Sequence, residues 1–215
     1  MIKIHSTKKL LAKLPLDGSG ILTNTRVNPN ARKAGDSPLG SWHANLLTLQ
    51  RHNCILFVHD ATRFPVFLKE LRKPDLAELA WHFEDGFMNT LLKAGADDAQ
   101  MRAAADALRP LQFDNDCNRS VQGTMNQMAG DIEHMLWYDN ASLKDISAYR
   151  TGAWLADRPC TVKGVKDCIW PPKAMFALLD ELAKNSKADM ESADTDVNAL
   201  YDGEENVVSI EKFRK

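Results

Sequence analysis

The sequence predicts an α+β fold: an antiparallel β-meander, joined by an N-terminal strand, packed against several helices, with an acidic disordered C-terminal tail. Three observations carry this. Three apolar runs, Trp42 to Gln50, Cys54 to His59 and Phe64 to Lys69, are separated by the short polar breaks Arg51-His52-Asn53 and Asp60-Ala61-Thr62-Arg63. Gaps that short join neighbouring strands in hairpins. From Leu76 to Leu92 apolar residues recur every three or four positions, the period of a helix with one buried face. After Asn185 the composition changes, and residues 186–206 hold seven acidic groups and a single lysine. So polar a stretch cannot build a core.

The elements follow in order. Met1 to His5 alternates and reads as a short strand. Ser6 and Thr7 are candidate caps for a helix bearing Leu10, Leu11 and Leu14, which Pro15 ends. Residues 16–41, rich in Gly, Pro, Asn, Asp and Ser, form a long loop. The meander carries large apolar residues on both faces, so it is central and covered. Pro74 opens the helix that carries Leu76, Leu79, Ala80, Phe83, Phe87, Leu91 and Leu92, and Gly95 closes it. Asp97-Asp98 begin an Ala-rich helix that ends before Pro110, and Leu111 to Asp114 is a short strand or an extended link. Ser120 to Tyr138 is helical, with Val121, Met125, Met128, Ile132 and Met135 as a core-filling stripe. A further helix is expected over Ser142 to Leu155. A last one follows Trp170-Pro171-Pro172 through Ala183, with proline suited to its first turn. The organisation is one domain over 1–184 and a flexible acidic tail over 185–215. The tail's last ten residues regain apolar groups and read as a frayed end, a docking segment or a returning strand.

Composition excludes several classes. At 44% hydrophobic and 26% charged the chain falls among soluble globular proteins. Its longest apolar runs, Cys54 to Val58 and Met175 to Leu179, are about five residues and cannot span a bilayer. The first fifteen residues lack a signal-peptide core, so a cytoplasmic location and no membrane partner are expected. The formal net charge of -2 conceals a split. Residues 1–74 hold 12 Lys+Arg against 4 Asp+Glu, and residues 75–215 hold 15 against 25. A basic first third can contact phosphates, or the two parts can attract each other within one fold. The four cysteines, 54, 117, 160 and 168, show no CxxC spacing. Cys54 reads as a buried thiol. Cys160 and Cys168 could meet across a hairpin, although reduced thiols are expected in the cytoplasm.

Four of the six histidines, His43, His52, His59 and His82, fall between positions 43 and 82. Opposite residues of paired strands share a face. A two-residue loop at His52-Asn53 puts His43 and His59 on different faces. A three-residue loop over Arg51 to Asn53 puts His43, Asn45 and His59 on one face. In that second register Asp60 and Arg63 adjoin the imidazoles at the turn. Histidine can then move a proton and arginine can bind a developing anion, a set suited to hydrolysis or RNA cleavage. If His43 and His59 lie on opposite faces, a site using both fails. The plainer alternative is that Asp60 to Arg63 is hairpin chemistry and His43 a half-buried polar residue. Arg119, in Asn118-Arg119-Ser120 before a helix, is a candidate anion ligand or a partner of a nearby carboxylate. The candidate catalytic set is therefore His43, His59, Asp60, Arg63 and Arg119. Glu78, His82 and Asp85 share a helical face but lack HExxH, and no metal or cofactor is expected. There is no P-loop and no GxGxxG. For nucleic acid the candidates are Lys8, Lys9, Lys13, Arg32 and Lys33, with Lys3 and Arg26 beside them, unaccompanied by a recognised binding motif.

Three stretches carry a resemblance. They are Thr7-Lys8-Lys9-Leu10-Leu11, then Pro38-Leu39-Gly40-Ser41-Trp42-His43-Ala44-Asn45-Leu46-Leu47 running on through Cys54 to Phe67, then Asn118-Arg119-Ser120-Val121-Gln122-Gly123-Thr124-Met125-Asn126. Together they resemble a bacterial family of unknown function with a TKKLL opening, a WHANLL strand pair and an NRSVxGxMN helix start. The likeness covers about residues 1–140. It implies an α+β domain in a bacterial cytoplasm, with some relatives beside plasmid- or transposon-associated modules, and it implies no activity. Two functions follow as expectations. The first is a non-enzymatic binding or accessory protein that meets a protein or nucleic acid through its basic part or its tail. The second is a small hydrolase or nuclease using the His/Arg set. The sequence does not set the oligomeric state.

Overall fold

The computed structural model describes residues 1–23, 35–162 and 167–185. Five strands form one sheet: β1 (Ile2–Ser6), β2 (Trp42–Leu49), β3 (His52–His59), β4 (Pro65–Leu71) and β5 (Leu111–Asp114). The helices are α1 (Lys8–Leu11), α2 (Lys73–Ala77), α3 (Leu79–Ala94), α4 (Asp98–Ala107), α5 (Arg119–Tyr138), α6 (Ala148–Ala156) and α7 (171–185). The α+β class holds. The strand order is β4-β3-β2-β1-β5. β2, β3 and β4 are the antiparallel meander, but β1 runs parallel to both β2 and β5, so the sheet is mixed.

Alternation along the strands divides the core in two. Trp42, Ala44, Leu46, Ile55, Phe57, Val66 and Leu68 face α3, where Phe83, Phe87 and Leu91 are fully buried. Met175 and Leu179 of α7 join that core. Leu47, Leu49, Leu56, Val58 and Phe67 point the other way, against Val121, Met125, Met128, Ile132 and Leu136 of α5 and Leu155 of α6. Burying each such side chain stabilises by about 1.5–3 kcal/mol. The methionine stripe of α5 is core filler, with Leu136 taking the innermost place expected of Met135. Gly86 lets α3 lie close on β4: a Cβ there would stand 2.7 Å from Leu68 Cδ2 and 2.9 Å from Val66 Cγ1.

Two helices are shorter than their periodicity suggests. The segment opened by Pro74 breaks at Glu78, giving α2 and α3. The helix expected from Ser142 begins only at Ala148, capped by Ser147. The Lys69 ammonium takes the carbonyls of Leu143, Lys144 and Ile146 at 2.9, 2.8 and 2.7 Å, holding that stretch as a turn. Part of the long loop is ordered along β5, where Phe113 N–H donates to the Gly20 carbonyl at 2.8 Å. Arg26, Arg32 and Lys33, residues 163–166 and the segment 186–215 expected as an acidic tail lie outside the described residues. Among the described residues no helix is long and apolar enough to cross a membrane. All four cysteines are free.

Candidate functional site

The parallel placement of β1 builds the site. His5 pairs in register with His43 of β2 on one side and with Asp114 of β5 on the other. Residues in register share a face, and this row lies on the α5 side, opposite Trp42 and Ala44. The His5 and His43 rings stand 5.0 Å apart. Behind β5 the chain turns and enters α5, whose first residues border the row. The result is an open polar cleft of roughly 790 Å³, lined by His5, His43, Asp60, Arg63, Asp116, Cys117, Asn118, Arg119, Ser120 and Val162.

His43 is 2% exposed, and both its nitrogens are spent. Nε2 accepts the Asn118 N–H at 2.8 Å, so Nδ1 carries the proton and donates to Asp60 Oδ1 at 2.7 Å. The second Asp60 oxygen accepts the Ser41 hydroxyl at 2.8 Å. Burial raises the affinity of Asp60 for a proton, but the bonds from His43 and Ser41 and the neighbouring imidazoles outweigh it. The carboxyl is held below its ordinary range. His5 differs from His43. Its Nδ1 meets Asp114 Oδ1 at 2.6 Å, and its Nε2 stands 3.9 Å from Asp60 Oδ2, too far to bond. The carboxylate thus orients the ring and leaves one nitrogen for the cleft.

Arg63 occupies the β3–β4 turn with φ 60°, a left-handed conformation uncommon outside glycine. Its side chain is 2% exposed. Nη1 donates to the Asp60 carbonyl and Nη2 to Ser120 Oγ at 3.2 Å, while Nε is buried with no hydrogen-bond partner. Burial lowers its proton affinity below the ordinary value, against the pull of Asp60. At the start of α5, Asn118 caps the helix by accepting Ser120 N–H at 2.9 Å.

Of the residues singled out by sequence, His43, Asp60, Arg63 and Arg119 come together in the cleft. His59 does not. The β2–β3 loop is Gln50-Arg51, and neither register considered from sequence is observed. His43 pairs with Val58 and His59 with Trp42, on opposite faces, so a site using both histidines is not formed. His59 is 1% exposed in the α3-side core, its ring 4.9 Å from that of Trp42. Its Nε2 meets the Leu39 carbonyl at 2.5 Å and its Nδ1 the Thr62 hydroxyl at 2.8 Å. Burial pushes its pKa down from 6.5 to about 4, so it is a neutral core residue. Lys8 and Lys9 stand on α1 and Lys13 just beyond it, all exposed and none in the cleft. Lys9 reaches Thr48 and Lys13 reaches Asn53. His82 lies 3.8 Å from Asp75, and Asp85 accepts from Tyr149.

His5, Asp114 and Ser120 are the members that sequence reasoning missed. The alternation of β1 gave His5 a face but not its neighbours; pairing β1 with Leu111 to Asp114 would have found Asp114. His5, Asp114 and Asp116 also offer donor atoms within 4.8 Å of one another, close enough for a metal ion. Asp114 Oδ1, however, already accepts from His5 and from the Asp116 N–H.

A family model described as a domain of unknown function, DUF6933, matches residues 3–174. The chain belongs to this family. The DUF6933 match reaches past the 1–140 covered by the sequence resemblance and takes in all of the cleft-lining residues. No curated protein and no solved structure matches the chain. The family description carries no activity and no genomic setting, so function has to be read from the cleft.

Proposed function

We propose that this DUF6933 domain is a hydrolase in which His5, held by Asp114, moves the proton. The observation that carries this is the 2.6 Å His5–Asp114 bond, which leaves Nε2 on the cleft side of the ring. A carboxylate-oriented imidazole is the common general acid–base unit. Nε2 takes a proton from an attacking water, Asp114 stabilises the imidazolium, and the same proton passes to the leaving oxygen. Arg63 and the start of α5 face the anion that develops. His43, with neither nitrogen free, is a positioning residue that ties Asp60 to the α5 turn. Replacing His5 by Gln keeps a polar side chain and removes the proton carrier. Turnover of chromogenic carboxylic and phosphoric esters is expected to fall about 10²–10⁴-fold with the melting temperature little changed. Undiminished turnover in the variant sinks the proposal.

A binding role has one observation in its favour. Trp137 is 77% and Tyr138 74% exposed at the far end of α5, and Tyr138 borders the same depression as Trp154 of α6. Exposed aromatics on adjoining helices suit a protein partner.

A further inference from the structure

We propose that the cleft holds its substrate by a phosphoryl group, seated between Arg63, the Ser120 hydroxyl and the first-turn N–H groups of α5. This names the substrate class of the same cleft and rests on the hydrolase reading for its chemistry, though the binding step needs no turnover.

The guanidinium of Arg63 has five N–H donors. Two go to the Asp60 carbonyl and the Ser120 hydroxyl, both uncharged acceptors. Among the described residues no carboxylate forms an ion pair with it, because Asp60 turns its oxygens to His43 and Ser41. A charge that is 2% exposed and unpaired is unfavourable unless an anion meets it. The turn holds Arg63 there at φ 60°, a strain that persists only where the surroundings enforce it.

The second element is α5, a helix of 20 residues whose positive end opens on the same cleft. Asn118 N–H goes to His43 and Ser120 N–H to the Asn118 side chain. The N–H groups of Arg119 and Val121 have no hydrogen-bond partner among the described residues. The guanidinium thus approaches from the β3–β4 turn, and the hydroxyl and backbone donors from the first turn of α5. That suits a tetrahedral group with three free oxygens better than a planar carboxylate with two. Asp60 and Asp114 each bond an imidazole, so the acidic side of the cleft is the histidine side. A phosphoester seated on Arg63 then has its attacking water or leaving oxygen towards His5. Water adds to phosphorus, the bond from phosphorus to the ester oxygen breaks, and the proton taken from water by His5 goes to the departing alcohol.

The test is a ¹H–¹⁵N NMR titration of the full chain with inorganic phosphate, and separately with acetate. Saturable shifts are expected at the amides of Arg119, Ser120 and Val121, with acetate binding more weakly. Arg63→Gln is expected to weaken phosphate about tenfold or more, the scale of a lost charged hydrogen bond. Ser120→Ala, on the partly exposed first turn, should weaken it about threefold and serves if the buried substitution does not fold. No saturable shift, acetate equal to phosphate, or unaltered affinity in these variants overturns the proposal. The wild-type chain separates the two readings. Phosphate binding by a wild-type protein that turns over no ester leaves this site standing and removes the hydrolase. Activity on carboxylic esters without phosphate binding does the reverse.

Discussion

His59 offers a prediction whose size can be worked out from the structure. Its ring is 1% exposed, donates from Nε2 to Leu39 and accepts at Nδ1 from Thr62, and burial brings its pKa from 6.5 to about 4. Between those values the unfolded chain binds a proton that the native protein refuses. Stability from this group is therefore complete above pH 6.5 and is lost as pH falls towards 4. A shift from 6.5 to about 4 is worth about 3 kcal/mol in all, of which about 2 kcal/mol is gone by pH 4.5. Other groups titrate in that window, so the measurement is a comparison. Urea unfolding of the wild type and of His59→Gln is followed at pH 7, 6, 5 and 4.5. The variant starts less stable, having lost shape complementarity beside Trp42, but its stability should fall by about 2 kcal/mol less across the range. Parallel curves would refute the reasoning and would mean that His59 binds its proton equally well in the folded and the unfolded chain.

Two further predictions rest on packing and hydrogen bonding. Gly86→Ala adds a methyl 2.7 Å from Leu68 Cδ2, so overpacking of about 1–3 kcal/mol should exceed the ~1 kcal/mol gain in helix propensity. Thermal melts read the net loss, and a stabilised variant contradicts the close approach of α3 to β4. Of the three tyrosines, Tyr149 should ionise late. Its hydroxyl donates to Asp85 Oδ2 at 2.5 Å, and that bond, with burial and the carboxylate charge, pushes its pKa from 10.0 up to about 12. The stability it adds is present below pH 10 and lost as pH rises through 12. Ultraviolet titration of wild type and Tyr149→Phe checks this, and removal of an early-titrating phenol by the substitution counts against it.

The meander was legible because Arg51 to Asn53 and Asp60 to Arg63 are too short for anything but hairpins. Its register was not. The loop is Gln50-Arg51, with φ 44° and 70°, in a left-handed conformation that Asn-Gly or Gly would advertise and Gln-Arg does not. The strand therefore starts at His52, which reads as turn. Asp60, Arg63, His43 and Arg119 could be named from residue type and position, since polar groups at a turn and at a helix start stand out. His5 and Asp114 could not, because parallel pairing between segments over a hundred residues apart leaves no local pattern. His59 was misplaced for the same reason as the register: Trp42 stands opposite it where the three-residue loop puts Asn45, and an odd number of positions of slip moves a side chain to the other face.

β1 is early in the sequence yet interior in the sheet, flanked by Trp42 to Ala44 and by Leu111 to Asp114. The hairpins of β2 to β4 need only local closure, whereas β1 and β5 must find each other across most of the domain. Such distant contacts form slowly and late. The expected order of assembly is the meander first and the His5, His43 and Asp114 row last. Opening runs the other way: a fluctuation that frees β1 scatters His5 from His43 and Asp114 while the meander and its helices stay intact. Amide exchange in β1 is therefore expected to outpace that in β3.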